Sequence, residues 1–156
     1  MPYTPPKAGS RLTTDVLEGM VGEWQDYTPA WAASTTNPSI GNGTLLGRYC
    51  VIGDTVHFSI KLTGGSTTTW GSGLYRWDLP VPAAPGIIDH IGVSFIGDSS
   101  VGGAGYSTGI AYLDDTGAVV RAYVGNQGAA TGINSTHPQT FATGDRIWIH
   151  GTYEAA

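Results

Sequence analysis

Cysteine occurs once, at Cys50, so no disulfide can close within the chain. Charge is also scarce: 12% of the 156 residues are Asp, Glu, Lys or Arg, about half the usual share. The seven Lys and Arg are scattered singly in a chain of net charge −5. That gives no basic stripe for nucleic acid or an anionic membrane. One cysteine cannot make a zinc motif, and His57, His90, His137 and His150 lack metal-ligand spacing, so neither a metal nor a cofactor is expected. No apolar run approaches the ~20 residues of a membrane span. The opening "MPYTPPKAGSRLTTDV" has no apolar core and does not read as a signal peptide. These absences predict a soluble protein made in a cytoplasm, where the glycosylation-like triplets at Asn42 and Asn134 are incidental. Cys50, inside "LGRYCVIG", reads as a small buried apolar residue, because a reactive thiolate needs a His partner and electropositive surroundings.

Glycine is abundant, at 24 residues, roughly twice average usage. Together with many Thr and Ser and five Trp it points to short strands joined by tight turns. Disorder is excluded, because 40% of residues are apolar and they fall in periodic runs. The length suits one domain with a short appendage. Residues 1–26 form that appendage. Three prolines in the first ten residues predict an extended arm. "TTDVLEGMVGEW" then has capping residues followed by Val16, Leu17, Met20, Val21 and Trp24, the apolar stripe of a short α-helix. About three turns do not hold themselves together in water, so the stripe must cover the sheet or a second copy of the chain.

Residues 27–156 read as β throughout. In "DTVHFSIKLT", Val56, Phe58, Ile60 and Leu62 alternate with polar residues. "GLYRWDLPVP", "HIGVSFIG", "GYSTGIAYLDD", "GAVVRAYVG" and "DRIWIHGTYEA" follow, each bounded by Gly, Asp or Pro. About eight short strands with no second helix predict a mainly β fold, an antiparallel jelly-roll-like β-sandwich, with an up-and-down barrel as the rival.

Candidate chemistry is thin. "DDTGA" holds the Asp115-Thr116-Gly117 triplet of aspartic proteases, but it occurs once and sits where a hairpin needs turn residues. "GNGTLLG" has the wrong spacing for a phosphate loop, and no G-x-S-x-G elbow occurs. Asp89, Asp98 and Glu154 are the acids a glycosidase pair would draw on, and sequence spacing neither supports nor excludes a pair. No catalytic residue is therefore assigned. The aromatics carry more. Trp70, Tyr75 and Trp77, around "TTTWGSGLYRWD", either stack on host glycans or fill a core. Trp148 is flanked by Ile147 and Ile149, so its strand is apolar on both faces, which predicts an oligomer contact there.

"GNGTLLGRY", "IGDTVHFSIKLTGGSTTTWGSGLYRWDLPVPA" and the ending "FATGDRIWIHGTYEAA" resemble a module recurring in virion surface proteins of tailed bacteriophages, particularly those of actinobacterial phages. The resemblance covers residues 31–84 and 140–156. It implies a non-catalytic, usually trimeric β-sandwich on the outer surface of the virion, often capping a tail-fibre or minor-tail chain. Only about 26 residues precede the module here, which leads to the expectation of a homotrimeric capsid decoration protein. Its arm residues Pro5, Pro6, Lys7 and Arg11 would hold the major capsid protein, while Leu17, Met20, Trp24 and Trp148 would make the trimer contact. The alternative is a tail-fibre or minor-tail protein that recognises host cell-surface glycans through Trp70, Tyr75 and Trp77. Nucleic-acid binding and membrane insertion are not expected.

Overall fold

A nine-residue strand with alternating burial, Thr55–Thr63, sets the pattern for the whole chain: Val56, Phe58, Ile60 and Leu62 are buried and the residues between them face out. The computed structural model describes residues 6–9, 11, 13–86, 89–102, 105–114, 116–126 and 129–156. Its elements are one helix, α1 (Thr14–Val21), and ten strands. The strands are β1 (Gln25–Tyr27), β2 (Trp31–Ala33), β3 (Thr44–Ile52), β4 (Thr55–Thr63), β5 (Tyr75–Asp78), β6 (His90–Gly97), β7 (Tyr106–Leu113), β8 (Val119–Asn126), β9 (Ala129–Gly132) and β10 (Arg146–Glu154).

Every pairing is antiparallel, and the strands form one sheet in the order β1-β3-β4-β10-β6-β7-β8-β5-β2, with β9 added to β8. The fold is thus mainly β and antiparallel. The two hydrogen-bonded sheets of a sandwich are replaced by a single sheet, and the consecutive pairing of an up-and-down barrel is broken by β10, which inserts between β4 and β6. The boundary expected after residue 26 falls inside β1, a strand too short to leave a periodic signal.

The chain forces this sheet to curl. β1 and β2 are the two ends of the strand order, yet only Thr28, Pro29 and Ala30 separate them in sequence. Four residue steps reach at most about 14 Å, so the two edges must come back toward each other. Pro29 is buried at this seam, and the Ala30 carbonyl accepts a hydrogen bond from the Asp78 amide at 3.1 Å. The curled sheet encloses a core of Phe58, Ile60, Leu62, Ile96, Val120, Ile147, Ile149 and Tyr153, closed at one end by aromatics. There Trp77 and Tyr75 are fully buried, Trp70 stacks on Phe141 at 4.9 Å, and Trp31 packs edge-on against Trp70 and Tyr75.

Glycines let neighbouring strands cross tightly where the sheet bends. A Cβ at Gly92 would lie 2.0 Å from the His150 carbonyl oxygen, and one at Gly151 would lie 1.9 Å from that of Ile91. The two glycines are register partners, beside an irregularity in the β6–β7 pairing between His90 and Gly92. The "GNGTLLG" and "GGSTTTW" turns lock together by polar groups rather than by packing: Asn42 Oδ1 accepts from the Thr67 amide at 2.9 Å, and Thr67 Oγ1 accepts from the Asn42 amide at 2.9 Å.

Gly151→Val should therefore lower the unfolding free energy by about 3 kcal/mol or more, by overpacking against backbone that cannot yield. Gly125→Ala, where a Cβ meets nothing within 4 Å, should stay within about 0.5 kcal/mol. Urea denaturation of the two variants checks the pair, and equal effects would remove the bending role of Gly151.

Candidate functional site

Burying one face of a sheet leaves the other to be explained. Trp148 lies between buried Ile147 and Ile149, so it points outward. Its register partners are Lys61 on β4 and Phe95 on β6, which share its face. The Phe95 and Trp148 rings are 5.1 Å apart, and Tyr106 on β7 continues the line at 4.8 Å from Phe95. Tyr106 is 52% exposed, and Leu46 and Val93 on the same face are also exposed. The Arg146 guanidinium carbon lies 5.8 Å from the centre of the Trp148 ring, within cation–π range. Lys61 and Arg146 are both exposed.

At the Tyr106 end the aromatic line runs into an open depression of about 190 Å³ lined by Asp98, Ser99, Tyr106, Arg146 and glycines. Asp98 accepts hydrogen bonds from the Ser100 hydroxyl at 2.6 Å and the Ser100 amide at 2.8 Å. These bonds lower its carboxyl below the ordinary value, the hydroxyl contributing most, so it is ionised near neutrality. The loop geometry rests on Asp145, which is 1% exposed. Its carboxylate accepts from the Ser99 amide (2.8 Å), Ser99 Oγ (3.0 Å), Gln139 Nε2 (3.0 Å) and the Ala142 amide (2.9 Å). One buried carboxylate thus fixes Ser99, and with it Asp98, beside Arg146.

The residues expected to act fare differently. Tyr75 and Trp77 are sealed in the core and Trp70 is stacked against it, so the glycan surface expected at Trp70, Tyr75 and Trp77 is corrected: these rings close the core end. The hydrophobic gain of burying such large rings, together with the Tyr75 Oη bond to the Trp70 carbonyl at 2.6 Å, holds them inside. Trp148 is half-buried, with Phe95 beside it on the next strand and Arg146 two residues along its own. It lies two strand spacings, about 10 Å, from β3, where the N-terminal segment packs. There Gly22, at φ +67°, ends α1 against Cys50 and Ile52. Cys50 is buried. Leu17, Met20, Val21 and Trp24 stay about half exposed or more, and Arg48 stacks over Trp24 at 5.7 Å and pairs with Asp26. In the arm, Pro6 is half-buried, Lys7 and Arg11 are exposed, and Pro5 lies outside the described residues.

The acids do not form a catalytic pair around Asp98. It follows β6, whereas Asp89 precedes that strand and Glu154 ends the antiparallel β10 at the same far end, some 25 Å away by strand rise. Asp115 lies outside the described residues. Its neighbour Asp114 is a turn residue: its carboxylate accepts from the Thr116 amide at 2.8 Å and from the Thr116 hydroxyl, and pairs with Arg121 Nη2 at 3.0 Å. Gly117, at φ +69°, completes the turn between β7 and β8. Among the described residues no His, Cys, Asp and Glu group could hold a metal ion, and no helix is long and apolar enough to cross a membrane.

Lys61, Phe95, Tyr106 and Arg146 were not singled out by sequence. Only the register that sets them beside Trp148 makes them a group.

The chain is similar to the Mu-like prophage FluMu defective tail fiber protein of Haemophilus influenzae, with 28% identity over 131 residues. The match takes in 82% of this chain and 20% of that protein, so the chain spans about a fifth of the relative's length. No family profile and no solved structure matches it.

Replacing Asp145 by Ala should cost about 3 kcal/mol, because four hydrogen bonds to one buried carboxylate are lost together. A thermal shift like that of a neutral surface mutant would contradict this. The Asp114 carboxyl sits below its ordinary value: burial would raise it, but the bonds from Thr116 and Arg121 outweigh that. A lowered folded value contributes stability that is present above the unfolded value of about 3.9 and lost as pH falls through the folded one. The difference in melting temperature between wild type and Asp114→Asn should therefore be full near about pH 6 and close as pH drops below about 4. A gap independent of pH would contradict the assignment.

Proposed function

We propose that this chain is a non-enzymatic structural module of a bacteriophage tail fibre, carried on the exterior of the virion as a homo-oligomer. The similarity to a prophage tail fiber protein over 131 residues carries the reading. The N-terminal segment supports the oligomer: Leu17, Met20 and Val21 expose an apolar stripe on a helix whose end touches the sheet, and Trp24, just beyond the helix, is also exposed. A helix this short gains stability from packing, and a second copy supplies that packing most simply. A trimer is the state proposed, with the contact at Leu17, Met20 and Trp24 rather than at Trp148.

Head decoration is the second reading. It rests on the exposed Lys7 and Arg11 that follow the proline-rich start, two cations on an acidic chain suited to an acidic seam of the major capsid protein. Immunogold electron microscopy of the parent virion with antibody against this chain separates the two. Label on the tail fibres is expected, and label over the head would replace the first reading by the second. Native mass spectrometry should give three times the 16.2 kDa chain mass, falling to the single mass in Leu17→Asp/Met20→Asp. A wild-type protein monomeric at about 10 μM would remove the oligomer.

A further inference from the structure

The outer face of β4, β10, β6 and β7 brings aromatic and cationic side chains together. Seven cationic side chains serve the whole protein, and three of them, Arg48, Lys61 and Arg146, lie on the outward face of three adjacent strands, β3, β4 and β10. Arg48 is already paired with Asp26. Lys61 and Arg146 instead flank Trp148, Lys61 across the strand pair and Arg146 two residues along the strand with its guanidinium toward the ring. Trp148, Phe95 and Tyr106 then run as a row of rings, each step about the width of a sugar ring, into the depression that holds Asp98 and Ser99.

We infer that this face binds an acidic saccharide chain, with pyranose rings lying along Trp148, Phe95 and Tyr106, the carboxylate or phosphate held by Lys61 and Arg146, and the sugar hydroxyls of the next unit donating to Asp98. The aromatic rings offer apolar faces to the C–H side of a sugar, which a polar surface does not. The two cations select a negative substituent on a protein that otherwise repels anions, so the charge is complementary locally and opposed globally. Asp98 argues against a plain polyanion: a fixed carboxylate beside Arg146 repels charge density and accepts from hydroxyls. The Asp145 clamp supplies rigidity, because Ser99 and the Asp98 loop are held before any ligand arrives.

This deepens the tail-fibre reading by giving a ligand class to an outward face. It rests on that reading only for its setting, since binding by the isolated chain and the location of the chain on the virion are measured separately.

Affinity electrophoresis of the full chain tests it, with polygalacturonate as the carboxylate probe, phosphomannan as the phosphate probe, dextran as the uncharged control and polyglutamate as the non-sugar polyanion. Retardation by polygalacturonate or phosphomannan is expected, and the polymer that acts identifies the acidic group. Trp148→Ala should weaken it about tenfold, the effect of losing one stacking face. Lys61→Gln should weaken it about threefold, and added salt should weaken it further. Tyr106→Ala, at an exposed position that leaves the core intact, should also weaken it, so the inference stays open to test even if Trp148→Ala does not fold. Retardation by neither acidic saccharide would overturn the inference, as would equal retardation by dextran or by polyglutamate. So would conversion of an oligomer to a monomer by Trp148→Ala, which would make this face a contact between copies.

Discussion

Three residues, Thr28 to Ala30, tie together the two opposite edges of a ten-stranded sheet, and most of the architecture follows from that short tether. A flat sheet of this width would hold its edges several times farther apart than the connection can reach. The sheet must curl until one face closes on itself, and that closure is what creates an interior. Curling needs strands that cross with their backbones nearly touching, which is where Gly92 and Gly151 sit. Two far-separated glycines thus meet as register partners to satisfy a demand set by the start of the chain.

A curled single sheet has an inside and an outside with different chemistry. Inside, alternate residues of every long strand converge, and the large rings of Trp77, Tyr75, Trp70 and Phe141 plug one end. Outside, among the described residues, no second layer covers the strands except where the helix end lies over β3. Residues between the buried ones are then free to be selected for contact with something else. The row from Trp148 to Tyr106 occupies that freedom, with cations along one side and a rigid acidic loop at its end.

Asp145 shows how the two sides are connected. It is buried at the foot of β10, and its four hydrogen bonds join the neighbouring segment at Gln139 and Ala142 to Ser99, 46 positions away in sequence. A charged group at such a site is retained only if its lone pairs are fully used, which they are here. The outward consequence is an ordered Asp98–Ser99 turn beside Arg146.

Sequence alone determined the β character, the hairpin at Asp114 to Ala118 and the buried alternation of Val56, Phe58, Ile60 and Leu62, because these depend on local period and turn chemistry. It determined the scarcity of charge and so the absence of a basic stripe. It also singled out Trp148 as a ring with apolar residues on both sides. It did not decide between one sheet and two, since the partner of a strand is a property of long-range register. "TTTWGSGLYRWD" looked the same whether its rings faced water or core, and only the closed end of the sheet decided that they are sealed in. Lys61, Phe95, Tyr106 and Arg146 are spread over 86 positions from Lys61 to Arg146 and share no motif. They became neighbours because β10, the last strand, slots between β4 and β6, and only the tertiary fold carries that information.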